Sequence, residues 1–295
     1  MDSGKLPFYR NAGGSVLPGL LIVAMAIILV VCLIGMALLL SFAGLNLKSP
    51  VSFDFLGGHK DKVAVIYVQG QMVADKGSDD GQVACSSDIV KYLRKATDDS
   101  NIKAIVLRIN SPGGTPVAAE EIISQINKTR KTKPVVVSMG DMATSAAYFV
   151  SSSTDKIIAD PDTFTGSIGV IWVFKNRTKY YNDEGINFYV AKSGNFKDLG
   201  SDWRGLSDNE KDYVQDIINE SYNRFVGAVA HGRNLSVDYV RSIADGRVYT
   251  GTRAKEMGLV DELGGLYDAI NVAGKLAKLK GSAQIVHMNE QPRKA

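Results

Sequence analysis

From Asn11 to Leu47 the chain carries no charged residue, and from Val16 to Ala43 nearly every side chain is apolar. No other feature restricts the fold as strongly. As a helix, a core of about 28 residues would run roughly 42 Å, enough to cross a hydrocarbon layer of about 30 Å with some tilt. A buried core helix is rarely apolar on every side for that length, and the apolar part of a cleaved signal peptide is only about 7–15 residues. The expectation is an uncleaved transmembrane anchor over residues 16–43, with residues 1–15 cytoplasmic. Lys5 and Arg10 ahead of the span support an inside N-terminus, although Lys48, Lys60 and Lys62 follow it. A juxtamembrane linker (44–62), one soluble domain (63–280) and a tail (281–295) are then expected on the extracytoplasmic side of the cell membrane.

Composition narrows the function classes. A formal charge of +3 is too small to argue for nucleic acid, and no basic stretch interleaved with aromatics occurs. Cys32 lies in the apolar run and Cys85 far beyond it, which reads as two unpaired thiols. His59, His231 and His287 are isolated, so the spacing offers no metal site and no cofactor is implied.

Short β-branched runs at Val63–Val68, Ala104–Ile109, Val135–Ser138, Lys156–Ala159 and Asn187–Ala191 predict strands. Helical patterns lie between them, at Ser86–Thr97, Pro116–Lys128, Ala143–Ser153 and Asn209–Ala230. Gly251–Gly258 and Gly265–Leu279 read as two further helices. Near-continuous apolar strands alternating with helices predict one α/β domain whose parallel sheet is covered on both faces.

Three segments at predicted strand ends carry unusual residues, where α/β folds place their sites. Asn110-Ser111-Pro112-Gly113-Gly114 turns sharply and can present backbone N–H groups, or be no more than a tight turn. Gly140 to Tyr148 places Ser145 among small residues at a helix start, as an exposed nucleophile or an ordinary N-cap. Ala191 to Asp198 is a polar loop containing Lys192 and Lys197.

Taken in order, SPGG, GDMATSAAY, DKIIADPDTFTGSIGV, AKSGNFKD and DGRVYTGTRAKEMGLVDELGG resemble the signal peptide peptidase A family in its short, single-repeat form. The likeness runs from Val63 to Ala269. It implies a Clp-protease/crotonase-like fold and peptide-bond hydrolysis. It also implies Ser145 as nucleophile, Lys197 as general base, Ser167 as a serine bonded to the lysine, and the N–H groups of Gly114 and Ala146 as the oxyanion hole. Single-repeat members form homo-oligomers in which the dyad meets across a subunit boundary, and the implied substrates are remnant signal peptides in the bilayer. Where the family usually has two glycines after the nucleophile, this chain has Ala146 and Ala147; alanine supplies the same N–H as long as its φ is negative.

The chemistry is coherent without the family. A serine hydroxyl needs an adjacent base, and no histidine falls in the motifs. A lysine serves only when neutral, which requires its pKa of about 10.4 to fall by roughly 3 units. An ion pair with Asp198 would oppose that, so Asp198 is expected to turn away from the dyad. Three other readings stand beside this one: an acyl-CoA hydratase or isomerase of the crotonase type, a related protease that processes membrane scaffold proteins, and an inactive binding scaffold. The first has no need of Ser145 with Lys197, the second differs from the favoured reading only in substrate, and the only sequence hint for the third is the Ala146–Ala147 pair.

Overall fold

The computed structural model describes Met25, residues 27–32, 61–75, 83–281 and 283–289. The chain divides into two units, Met1–Gly58 and His59–Ala295. In the first, the described residues are helical and exposed; the rest of the expected 16–43 anchor, and nearly all of the 44–62 linker, lie outside the described residues. Among the described residues no helix is long and apolar enough to cross a membrane.

The second unit is built on a sheet whose central strands are β1 (Lys62–Gln69), β4 (Ile102–Ser111), β5 (Val135–Thr144) and β6 (Lys156–Ala159), paired in that order and all parallel. β10 (Gln284–His287) extends the sheet beyond β1, and β9 (Glu262–Leu263) extends it beyond β6. The central strands alternate between two apolar faces, as strands buried on both sides must. Ile66, Leu107, Val137 and Ile157 face the larger core, while Val65, Val106, Val136 and Ile158 face a smaller one. α1 (Ser86–Asp98), α2 (Pro116–Thr129), α3 (Ala146–Ser152) and α5 (Asp208–Arg233) supply buried residues to the first, and α8 (Leu266–Leu276) covers the second with Ala269, Ile270 and Ala273. The expected α/β architecture with flanking helices is therefore present.

The helix starts follow local chemistry. Thr115 accepts from the Ala118 N–H with Pro116 at the first helical position, and Ser207 with Glu210 forms a reciprocal capping box at the start of α5. α5 ends on Asn234 in the left-handed conformation.

Two expectations are corrected. Asn187–Ala191 is not a strand: the run has no ladder partner, and Phe188, Tyr189 and Val190 are exposed. Its β-branched and aromatic side chains form an outward apolar surface instead of a sheet interior. Part of the 281–295 tail belongs to the domain, because β10 pairs with β1 and Asn289 continues the ladder by bonding both the N–H and the C=O of Tyr67 (2.8 and 2.9 Å). Short elements without an apolar run were not foreseen: β2 (Gln71–Val73), β3 (Val83–Cys85), β7 (Phe164–Gly166), β8 (Val248–Thr250), α4 (Thr178–Asp183) and α6 (Val237–Ile243).

Candidate active site

β5 outruns β6, and on that side its last residues pair with β7 instead, Thr144 against Gly166. That ladder continues one bond past the strand, from the Ser145 N–H to the Gly166 C=O at 2.9 Å. α3 begins at the next residue. To turn from strand to helix within one residue, Ser145 adopts φ 54° and ψ −125°. This lies outside the ordinary regions for an L-residue. The turn lifts the serine off the sheet end, where it is half-buried and, among the described residues, makes no hydrogen bond through its hydroxyl.

The Pro112–Gly114 turn packs against it. Thr144 Oγ1 donates to the Pro112 carbonyl (3.0 Å), and Ser111 Oγ accepts the Gly113 N–H (3.1 Å). Gly113 has φ +103°, and a Cβ there would stand 2.8 Å from the Ser145 Cβ and 2.9 Å from the Ala146 nitrogen. Only glycine allows that approach. Gly114 bridges β2 through its neighbours, by Met72 N–H to Gly113 C=O (2.8 Å) and Thr115 N–H to Met72 C=O (2.9 Å), which leaves the Gly114 N–H directed away from β2. The Ala146 N–H is the first of α3 and has no carbonyl one turn back inside the helix. Neither Ala146 nor Ala147 has positive φ, so alanine is unstrained at both positions; the unusual φ falls on Ser145 itself.

Ser167 follows the β7 residue that binds Ser145, has φ 50°, and donates its N–H to Arg247 C=O at 2.9 Å. The fold thus brings Ser145, Ser167, Gly114 and Ala146 to one end of the sheet. Lys197 is different. It lies on the 170–206 segment, exposed; its backbone N–H donates to the Gly194 carbonyl at 3.1 Å, but among the described residues its side-chain amine makes no hydrogen bond or ion pair, with Ser145 or any other. This segment packs largely on itself, through ring contacts between Trp172 and Phe174, Tyr181 and Phe188, and Phe188 and Trp203. It leaves Ile171, Val173 and Tyr189 exposed at 86%, 74% and 96%. Asp198 does not pair with Lys197; its carboxylate is taken by Lys192 (2.7 Å) and Arg204 (2.8 Å). Hydrogen bonds from Arg204, then from Lys192, hold it well below the usual carboxylate range. The Arg204–Glu210 partnership was missed by sequence reasoning, although Ser207-x-x-Glu210 is the signature of a capping box.

His231 is exposed on α5, and His287 sits 3.0 Å from the Tyr67 hydroxyl, so neither is bonded to Ser145. A strained serine at a helix start, closely packed on a glycine turn, suits attack on a carbonyl and stabilisation of the resulting oxyanion by backbone N–H groups.

Family comparison agrees with that chemistry. The model of peptidase family S49 matches residues 127–280. This chain belongs to family S49. The Clp protease model matches residues 60–161 of the same S49 peptidase. It is 35% identical to the provisional protease MJ0651 of Methanocaldococcus jannaschii, over 88% of this chain and 83% of that one. Protease 4 of Haemophilus influenzae is 38% identical over 73% of this chain, which spans only 35% of that longer relative. Among solved structures, a mutant of the 1510-N membrane-bound stomatin-specific protease superposes with a TM-score of 0.52 at 14% identity, over 79% of this chain and 99% of that one, which bears on the fold alone. The S49 peptidase is a serine protease with a Clp-protease-like fold.

Proposed function

We propose that this S49 peptidase is a membrane-anchored endopeptidase in which Ser145 attacks the scissile carbonyl and Lys197 of a second copy is the general base. The observation that carries the reading is the Ser145 turn, whose φ of 54° at the start of α3 stands against the close-packed Gly113 turn. A Lys197 side chain without a partner among the described residues, on a segment rich in exposed apolar side chains, supports completion by another copy, since docking would bury those side chains and desolvate the amine together.

Neutral Lys197 takes the Ser145 proton as Oγ bonds to the carbonyl carbon, and the two N–H groups hold the oxyanion. The same lysine then protonates the leaving amine. Water attacks the acyl-enzyme with lysine again as base, releasing the acid and restoring the serine. Ser167 would orient the amine. The substrates proposed are remnant signal peptides and other membrane-associated apolar peptides, which the 16–43 span would keep within reach of the bilayer.

The test is hydrolysis of an apolar fluorogenic peptide by the full chain in detergent. Ser145→Ala and Lys197→Ala should each lose at least about 1,000-fold in kcat. Oligomers assembled from both variants together should recover part of the activity, because some sites pair an intact serine with an intact lysine. Undiminished turnover by Ser145→Ala, or no recovery in mixtures, sinks the nucleophile or the shared site respectively.

A further inference from the structure

The loop carrying Lys197 is fixed to α5 through both of its sequence neighbours. On one side the Phe196 ring packs on Tyr213 of α5, with centroids 5.2 Å apart. On the other, the Arg204 guanidinium clamps Asp198, with Nε on Oδ2 at 3.0 Å and Nη2 on Oδ1 at 2.8 Å. The same fork binds Glu210 of α5 through Nη1 and Nη2 at 2.7 and 2.6 Å, and Nη1 also reaches the Gly205 carbonyl at 3.0 Å. Every N–H of the guanidinium is thereby used. Glu210 in turn accepts the Ser207 N–H at 2.8 Å in the capping box, so the clamp stands on the first turn of a 26-residue helix. Lys192 closes the cluster on Asp198 Oδ1 at 2.7 Å and on the Asn195 carbonyl at 3.2 Å.

Asp198 and Glu210 side chains are only 10% and 4% exposed, while the Lys197 side chain between these anchors is exposed and unpaired among the described residues. Other charged side chains lie on the same packed elements. Lys211 pairs with Asp208 on α5, Asp202 takes the Arg177 guanidinium and the Tyr181 hydroxyl, and Lys175 lines the small cavity beside Arg204. Asp198 is the carboxylate adjacent to the lysine in sequence. A carboxylate within about 4–6 Å would raise an amine's pKa by about 1–3 units and keep it protonated.

We propose that Arg204, anchored on Glu210, is a positioning residue for catalysis: it occupies the Asp198 carboxylate so that Lys197 is presented without an ionic partner and can act as a base. This rests on the Ser145–Lys197 reading. A lysine at position 204 would not substitute, because a point charge cannot hold two carboxylates in one plane as the fork does.

The experiment is the pH dependence of kcat/KM for the full chain in detergent, whose acidic limb reports the titration of the base. Arg204→Gln should move that limb up by about one unit or more. Adding Asp198→Asn to Arg204→Gln should return it to within about 0.3 unit of wild type, because the freed carboxylate is then gone. A fall in kcat with the limb unmoved, or a limb that stays displaced in the double variant, overturns the proposal. Should Arg204→Gln fail to assemble, Lys192→Met removes the outer cation of the cluster and should move the limb upward by a smaller amount; an unmoved limb there is equally decisive against it. Lys197→Ala run alongside separates the two ideas. Full activity in that variant refutes the dyad itself, whereas loss of activity combined with unmoved limbs refutes only the role of Arg204.

Discussion

Replacing Ser145 by alanine and, separately, by glycine removes the hydroxyl in both cases but relieves the backbone in only one. The residue holds φ 54° and ψ −125°, a combination outside the left-handed well and close to territory that only glycine enters freely. Such a conformation costs a residue with a Cβ about 1–3 kcal/mol. Glycine escapes that cost and loses about 0.5–1 kcal/mol through the greater freedom of its unfolded chain. The difference leaves Ser145→Gly more stable than Ser145→Ala by about 1 kcal/mol. For a folded unit of this size, that raises the midpoint of thermal unfolding by roughly 2–4 °C. Differential scanning calorimetry on both variants under identical conditions measures it, and hydrolysis assays confirm that neither turns over. The alanine variant is the proper reference because the lost hydroxyl cancels. Equal melting temperatures, or a less stable glycine variant, would show that the turn is not strained and that the surroundings dictate its shape at no cost.

Two further expectations follow from the same site and its support. Gly114→Ala would set a Cβ 1.9 Å from the Met72 carbonyl oxygen, which is backbone and cannot step aside, so the turn must shift and take the Gly114 N–H with it. Turnover should fall by about 100-fold or more while KM for a short peptide changes little, as steady-state kinetics will show. Asp261 underpins the back of the sheet: burial pushes its carboxyl up, but Arg233 at 2.9 Å, the Ile157 N–H at 2.8 Å and Lys156 at 3.0 Å outweigh burial and hold it below the ordinary value of 3.8. A carboxyl depressed in the folded state stabilises above its unfolded pKa and loses that contribution as pH falls through the folded one. Asp261→Asn should therefore cost about 1–3 kcal/mol at pH 7 and markedly less near pH 3, a contrast that urea titrations at the two values will reveal.

The four central strands and the main helices could be read from sequence because each carries a self-consistent signal. β1 and β4 are near-continuous apolar runs, α2 opens on Thr115-Pro116, and α5 spans seven turns behind a serine cap. The same reasoning misplaced Asn187–Ala191, since propensity registers β-branched and aromatic side chains but not whether a neighbouring strand exists to pair with them. It missed β7, β9 and β10, which are two to four residues long and owe their form to the strands beside them. At the candidate site, the motifs around Gly114, Ser145 and Ala146 stand out in the sequence, but the positive φ at Ser145 does not, because nothing about a serine advertises it. The Arg204 fork joins residues six apart on either side, through a loop whose path no periodicity describes.

The pairing of β10 with β1 bears on the order in which the molecule comes into being. The Tyr67–Asn289 bonds join residues 222 positions apart, and Gln284 lies against Lys62, so the first strand of the sheet has one side filled only after nearly the whole domain has left the ribosome. Until then β1 presents an open row of N–H and C=O groups, the kind of edge that recruits other chains. A nascent peptidase would therefore be sticky before it is complete, and the late arrival of a four-residue strand becomes the step that seals it.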